Sequence, residues 1–398
     1  MDFAIPDETR ALVEAVRAFV RAEVEPREAE LLARGFRAAQ GELDALRDRV
    51  RARGWWAPPL PRDLGGLGLS LLEYALVSEP LGRSLFGHYV FGCQAPDAGN
   101  LEILRRHGTE AQKARWLGPL ARGEVRSCFA LTEPDQPGSD PTQIACAATR
   151  QGAEYALDGR KWFASGADGA RFAIVMAVTD PAAAPHARAS LFVVPTDTPG
   201  FRLVRNVPVM GHPGEGWLSH GELELRGCRV PEASRLGAEG AGFRLAQERL
   251  GPGRIHHCMR WLGICERAFD LMCARAARRR IDGAGVLADK QITQSWVAEC
   301  RARIDAARLM VLRAAWTIER EGFAAAREQV SLVKFFTAEV MGEVVDRAIQ
   351  VHGALGLTSD TPLAFYYAHE RGARVYDGPD EVHKLAAGRR ILERYRGA

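Results

Sequence analysis

Ser127-Cys128-Phe129-Ala130-Leu131-Thr132-Glu133-Pro134 runs straight into Asp135-Gln136-Pro137-Gly138-Ser139-Asp140. An apolar, strand-like run halts at a Thr-Glu-Pro turn and opens into a loop of Pro, Gly, Ser and Asp. A second segment follows shortly after, Gly159-Arg160-Lys161-Trp162-Phe163-Ala164-Ser165-Gly166. Small hydroxyl and backbone donors on a loop, faced by an aromatic strand end, suit a flat, polar-edged ring such as a flavin. Taken singly, each segment also reads as an ordinary loop.

Around these segments the chain falls into three zones. From Met1 to about Glu124 the pattern is helical: Leu12, Val13, Val16, Phe19 and Val20 recur at helix spacing, as do Leu43, Leu46 and Val50. From about Val125 to Arg235 the period shortens to two, with β-rich runs at Phe172 to Val178 and Ser190 to Val194 and an alternating run from Gly221 to Val230. Turn signals at Asp158-Gly159 and Pro199-Gly200 separate them. Beyond about Gly237, long helical patterns return across Arg260 to Arg280, Thr293 to Arg320 and Ala324 to Val351.

Bulk properties narrow the function. The 398 residues suffice for two or three packing units, and 47% hydrophobic with 26% charged residues excludes disorder and a coiled coil. A net charge of +3 is too small to argue for nucleic acid. The local runs Arg278-Arg279-Arg280 and Arg389-Arg390 read first as solvated helix faces. The eight cysteines form no C-x-x-C pair, so they indicate neither a zinc site nor a disulfide framework, and read as reduced core thiols of a cytoplasmic protein. Met1 to Arg10 carries three acidic residues and no apolar core, unlike a signal peptide, and no apolar run is long enough to span a membrane.

In their order and spacing the two opening segments resemble the flavin-binding half of an acyl-CoA dehydrogenase, and the order of the zones is that family's too. The resemblance implies an α+β fold with an N-terminal helical domain (1–124), a central β-barrel or sandwich domain (125–235) and a C-terminal four-helix bundle (236–398). It implies FAD as cofactor, an acyl-CoA substrate, an electron-transfer flavoprotein as electron acceptor, and a homodimer or homotetramer sharing FAD sites across subunits. It extends from about Leu60 to Leu392.

Motif by motif, the resemblance assigns roles. Leu131 and Thr132 would bond the flavin ring edge and Ser139 the acyl-CoA, on a loop one residue longer than the family's T-E-P-G-A-G-S-D. The Trp162-to-Gly166 segment matches W-I-T-N-G. Trp162 would stack on the flavin. Ala164 replaces the threonine whose hydroxyl reaches flavin N5, leaving the backbone donors of Ala164 and Ser165. Arg280 stands where an arginine reaches the pyrophosphate of FAD on the neighbouring subunit, a dianion that suits a guanidinium fork. Gln291 matches the glutamine after it, while Gly283 replaces an aromatic residue. Gln350-Val351-His352-Gly353-Ala354-Leu355-Gly356 resembles the Q-x-x-G-G-x-G loop that approaches the same pyrophosphate, bringing Gln350, Gly353 and Ala354. Pro379 and Glu381 complete the cofactor set. Arg249, Tyr376 and Gly378 join Ser139 on the substrate side.

Other motifs read as structural. Leu60-Pro61-Arg62-Asp63-Leu64-Gly65-Gly66-Leu67-Gly68-Leu69-Ser70 lacks the third glycine and the preceding strand of a dinucleotide fingerprint, and resembles a structural turn of the same family. His352 reads as a helix-end polar contact. His256 and His257, adjacent on a helix, point apart and make a poor ligand pair, so no metal is expected.

Dehydrogenating an acyl-CoA requires a base for a weakly acidic α-proton. The family's usual base is the glutamate of a Y-E-G-T turn, which reads Val375-Tyr376-Asp377-Gly378-Pro379-Asp380-Glu381-Val382-His383 here. Asp377 thus occupies the base position with a side chain one methylene shorter. The same turn is also a good helix start, and an N-capping Asp would have its pKa lowered, the wrong direction for a base. Glu248 is the alternative base, where isovaleryl-CoA and long-chain acyl-CoA dehydrogenases place theirs. The Arg249-to-Arg260 segment and the Asp377-to-His383 segment together resemble the dehydrogenase domain of mammalian acyl-CoA dehydrogenase members ten and eleven and their bacterial relatives. Two rival readings share the fold: an oxidase or monooxygenase like the nitroalkane oxidases, which use an Asp at this position, and a non-catalytic, DNA-associated relative.

Overall fold

A computed structural model describes residues 4–281, 283 and 285–396. The N-terminal zone contains α1 (Asp7–Phe19), α2 (Phe36–Ala52), α3 (Leu71–Gly82) and α4 (Asp97–His107). The periodic residues Val16, Phe19, Leu43, Leu46 and Val50 are all buried, so the stripes face one core. The glycine-rich turn is a helix entry. The Ser70 side chain accepts from the Glu73 amide, and the Glu73 carboxylate accepts from the Ser70 amide, which caps α3.

Among the described residues the strands form one eight-stranded sheet, in the order β6-β7-β3-β2-β4-β5-β8 with β1 added parallel to β4. They are β1 (Ser127–Ala130), β2 (Ala147–Gln151), β3 (Glu154–Ser165), β4 (Phe172–Val178), β5 (Ala189–Pro195), β6 (Phe201–Asn206), β7 (His220–Pro231) and β8 (Arg235–Leu236). The apolar run of β4 divides by its period of two. Phe172, Ile174 and Met176 enter the core shared with the helices, while Ala173, Val175 and Ala177 enter a second core confined to the β domain. Burial on both faces explains why that strand is apolar throughout.

The C-terminal zone contains α5 (Gly242–Arg278), α6 (Gln291–Glu321), α7 (Arg327–His352), α8 (Leu363–Glu370) and α9 (Asp380–Glu393). Helix α5 starts well before Arg260 and runs through Pro252, a residue that ordinarily breaks a helix. It crosses α3 at two glycines: a Cβ on Gly263 would lie 2.1 Å from the Glu79 carbonyl oxygen, and one on Gly82 would lie 2.2 Å from that of Arg260. Gly263→Ala is therefore expected to destabilise the protein by about 1–3 kcal/mol, because two backbones must separate. Gly342→Ala, on α7 with open space around its Cβ, is expected to be neutral or stabilising by up to about 1 kcal/mol. Urea denaturation midpoints of the two variants check this pair; a Gly263 variant as stable as the parent contradicts the close crossing.

Candidate active site

The two opening segments meet. The Trp162 amide donates to the Thr132 carbonyl at 3.0 Å, and the Thr132 hydroxyl donates to the Trp162 carbonyl at 2.8 Å. The hydroxyl proton of Thr132 is thereby committed, and its Oγ1 can serve a ligand only as an acceptor. Trp162 and Phe163 fill an irregularity where β3 skips register against β7, between Lys161 and Ala164. Phe163 holds a left-handed φ of 50° and is 44% exposed, so the sheet spends strain on presenting aromatic surface beside the loop.

Beneath the loop lies a buried ion pair that the motif reading overlooked. Lys161 is wholly buried and donates from Nζ to Glu133 Oε1 at 2.7 Å and to the Leu131 carbonyl at 3.0 Å. Glu133 also accepts from the amides of Ala145 and Cys146, at 2.7 and 2.9 Å. Alternation along β3 points Lys161 inward, the one available signal in the sequence. Ser165 is engaged sideways, its hydroxyl 2.8 Å from His220 Nδ1. Burial first, with His369 adding to it, pushes the His220 imidazole down to about 4. A cavity of about 170 Å³ opens beside this pair, lined in part by Phe36, Leu218, His220, Phe365 and His369. Its lining does not include Asp377. Ser139 is exposed, out on the loop.

Asp377 sits in a left-handed turn at φ 54°, ahead of α9. The N-cap of that helix is Pro379, so Asp377 is not the capping residue and its carboxylate is not committed to the helix end. Instead Oδ2 faces α5: His257 Nε2 lies 3.3 Å away, and a Cβ on Gly253 would lie 3.7 Å away. Three side chains fix the turn's backbone. Arg254 Nε and His383 Nε2 each lie 3.0 Å from the Asp377 carbonyl, and Lys334 Nζ donates to the Gly378 carbonyl at 2.7 Å. Gly378 has a φ of 96°, and a Cβ there would lie 2.9 Å from His383 Nε2, so the turn requires glycine. Tyr376 accepts from Arg260 Nη2 and Trp261 Nε1, both at 3.1 Å. Arg260 in turn pairs with the buried Glu370 through two contacts of 2.6 and 2.7 Å. Burial acts to raise the Glu370 pKa, but the charges and hydrogen bonds of Arg260 and His369 together prevail and hold the carboxyl far below its ordinary range.

Arg249 is a further cation on α5. Its Nε donates to Asn100 Oδ1 at 2.8 Å, Nη2 donates to the Pro96 carbonyl at 3.2 Å, and the guanidinium lies 4.1 Å from the centre of the Phe129 ring. Burial lowers its pKa to about 10, against the raising influence of Asp377 and Asp97.

Glu248 does not join this cluster. Its carboxylate is taken by His107 Nε2 at 2.6 Å and Arg244 Nη1 at 2.5 Å. Burial acts to raise its pKa, but those two partners prevail and hold it low, the wrong direction for a base. The α5 position that faces Asp377 is Gly253, five residues on and roughly 140° around the helix. That glycine carries no side chain that would mark the facing position in the sequence. Glu248→Gln is accordingly expected to keep substrate-dependent flavin reduction within about threefold of the parent; a loss of a hundredfold or more in single-turnover rate would restore Glu248 as a candidate.

Of the other residues assigned to the cofactor, Leu131 and Ala164 are buried, and several lie on the surface. Arg280 is exposed beyond the end of α5, and Gln291 opens α6. Gln350, Gly353 and Ala354 are exposed at the end of α7, and Glu381 is exposed in the first turn of α9. His352 is a helix-end contact, its Nδ1 lying 2.8 Å from the Ala348 carbonyl. His256 packs against Tyr74 and His257 against Trp261 and Tyr376, so the adjacent pair does point apart. No cluster able to hold a metal occurs among the described residues. The eight cysteines are free, and all but Cys273 are buried. No helix among the described residues is long and apolar enough to cross a membrane.

Comparison with known proteins agrees with this architecture. The N-terminal, middle and C-terminal domain profiles of acyl-CoA dehydrogenases match residues 6–124, 128–228 and 240–392. The chain is 45% identical over 355 residues to the Mycobacterium tuberculosis protein named "Probable acyl-CoA dehydrogenase FadE2", covering 88% of this chain and 86% of that protein. It is 43% identical over 344 residues to acyl-CoA dehydrogenase family member 11 of Gallus gallus, covering 86% of this chain but 44% of that longer protein. A solved Mycobacterium abscessus structure, assigned to the acyl-CoA dehydrogenases, superposes with a TM-score of 0.94 at 40% identity, covering 99% of this chain and 100% of that one. With its three domain profiles matched in order and its fold shared nearly end to end, the chain belongs to the acyl-CoA dehydrogenase family, an FAD-dependent family of enzymes.

Proposed function

We propose that this protein catalyses FAD-dependent α,β-dehydrogenation of an acyl-CoA thioester and passes the electrons to an electron-transfer flavoprotein. The observation that carries the reading is Asp377: a carboxylate free of the helix cap, held in a fixed turn, and turned toward His257 and Gly253 of α5. The residues present fit a flavin. Thr132 and Trp162 are cross-bonded, and the bulge sets an indole and a phenyl ring beside a loop with acceptor capacity. Leu131, Thr132, Ala164 and Ser165 would meet the ring edge and Trp162 its face, while Arg280, Gln291, Gln350, Gly353, Ala354, Pro379 and Glu381 would hold the remainder of FAD in a homo-oligomer with shared sites.

When bound, the flavin supplies the acceptor for the hydride that leaves the β-carbon. Asp377 takes the α-proton as the double bond forms, so the substrate gives up one proton and one hydride. Tyr376 and Gly378 frame the base. Arg249 and Ser139 hold the thioester and its CoA arm. The reading is tested by mixing the yellow holoprotein anaerobically with a panel of acyl-CoAs and following long-wavelength flavin absorbance. Bleaching is expected with at least one chain class, and reoxidation by an electron-transfer flavoprotein is expected to outpace reoxidation by oxygen. Faster oxidation by oxygen would favour the oxidase reading.

A further inference from the structure

We propose that His257 is a positioning residue that fixes the Asp377 carboxylate in the direction the base must act. The inference rests on the reading of Asp377 as the base, and it comes from a stripe of α5. Gly253, His257 and Trp261 are spaced four apart and so share one face of the helix. Gly253 leaves room for Oδ2, and His257 meets it: among the described residues, the basic nitrogen within 4 Å of that carboxylate is His257 Nε2, at 3.3 Å. The turn's backbone is already clamped from three helices, through Arg254, Lys334 and His383. What remains free is the rotation of a short side chain, and His257 stands where it can restrict that rotation.

The imidazole is itself held firmly. It stacks on Trp261 at 5.9 Å between ring centres with 20° between planes, and it packs on Tyr376 at 4.9 Å. Trp261 and Tyr376 are locked together through the indole N–H, and Arg260 braces Tyr376 from the side. Burial lowers the His257 pKa to about 4, against the opposing pull of Asp377, so the ring is neutral at physiological pH. A neutral ring against a carboxylate can limit its rotation without cancelling its charge, which a lysine or arginine in the same place would do. Misplacing a reacting group by about 1 Å can cost on the order of a hundredfold in rate.

Other charged and titratable groups also act on Asp377. They are Arg249, Arg254 and Cys258 from α5, Lys334 from α7, His383 from α9 and Tyr376 within the turn. These are unchanged when only His257 is replaced.

The test is stopped-flow flavin reduction by a reactive acyl-CoA under anaerobic conditions, on FAD-loaded parent, His257→Ala, His257→Gln and Asp377→Asn proteins across a pH series. His257→Ala is expected to lower the limiting rate about 10- to 100-fold while acyl-CoA affinity stays within about threefold. The midpoint of the rising pH–rate curve, read in the same series, is expected to shift once the imidazole is gone. Glutamine, which retains a side-chain N–H, is expected to restore most of the rate. An alanine variant with unchanged rate and midpoint, beside an inactive Asp377→Asn, overturns the positioning role and spares the base assignment. An Asp377→Asn protein that still bleaches overturns the base assignment itself. A rate loss in His257→Ala that tracks lost FAD or a lowered melting point, and that glutamine does not repair, overturns the proposal in favour of simple packing.

Discussion

Replacing Asp377 by Asn is expected to cut the limiting rate of acyl-CoA-dependent flavin reduction by about 10³-fold or more, while leaving FAD bound. A positioned general base contributes on the order of 10²–10⁴-fold, and the amide cannot accept the α-proton. The substitution isolates that chemistry because so little else depends on the carboxylate. The turn is anchored through backbone carbonyls, to Arg254, His383 and Lys334, and those acceptors survive the change. Asparagine also tolerates the left-handed φ of 54° found at this position. Visible absorbance of the purified variant reports bound flavin, and anaerobic mixing reports its reduction. A variant that bleaches at the parent's rate would move the base away from this turn.

Lys161→Met is expected to produce the largest loss of stability, and with it loss of flavin. The ammonium is wholly buried between the Glu133 carboxylate and the Leu131 carbonyl. Removing it leaves the buried Glu133 carboxyl with only the amides of Ala145 and Cys146 for support. Breaking one partner of a buried pair costs about 3–5 kcal/mol, whereas replacing both by neutral groups is often close to neutral. The double variant Lys161→Met/Glu133→Gln is therefore expected to recover much of the denaturation midpoint. Leu131 and Thr132 lie directly on this support, so flavin content should fall and recover in parallel with stability. Unchanged midpoint and flavin content in the single variant would show that the pair is not what holds the loop.

Much of the fold was legible because its signals are local. The helical stripe of α2 and the alternation of β7 read directly from residue spacing, and the Thr-Glu-Pro and Trp-x-x-x-Gly segments stand close together in the chain. The interior of α5 was harder. Leu250-Gly251-Pro252-Gly253 has the composition of a turn, yet the helix continues through it, because Gly251 lets the Phe323 ring approach and Gly253 makes room for Asp377. Tertiary packing overrode propensity there. The groups around Asp377 were illegible for a different reason. His257 and Lys334 come from two other helices, and no local pattern ties them to a turn more than forty residues from Lys334 and more than a hundred from His257, whereas His383 is six residues from Asp377. Glu248, five residues before Gly253, is turned by helix geometry toward His107 and Arg244, an orientation that sequence spacing alone does not reveal.

An anaerobic titration decides whether this protein oxidises an acyl-CoA by pairing a carboxylate base with a bound flavin. The yellow holoprotein would be titrated with a panel of straight-chain and branched acyl-CoAs while the long-wavelength flavin band is recorded. Stoichiometric bleaching by one chain class is expected in the parent protein and none in Asp377→Asn. Failure of every thioester to bleach a protein with FAD demonstrably bound would contradict it.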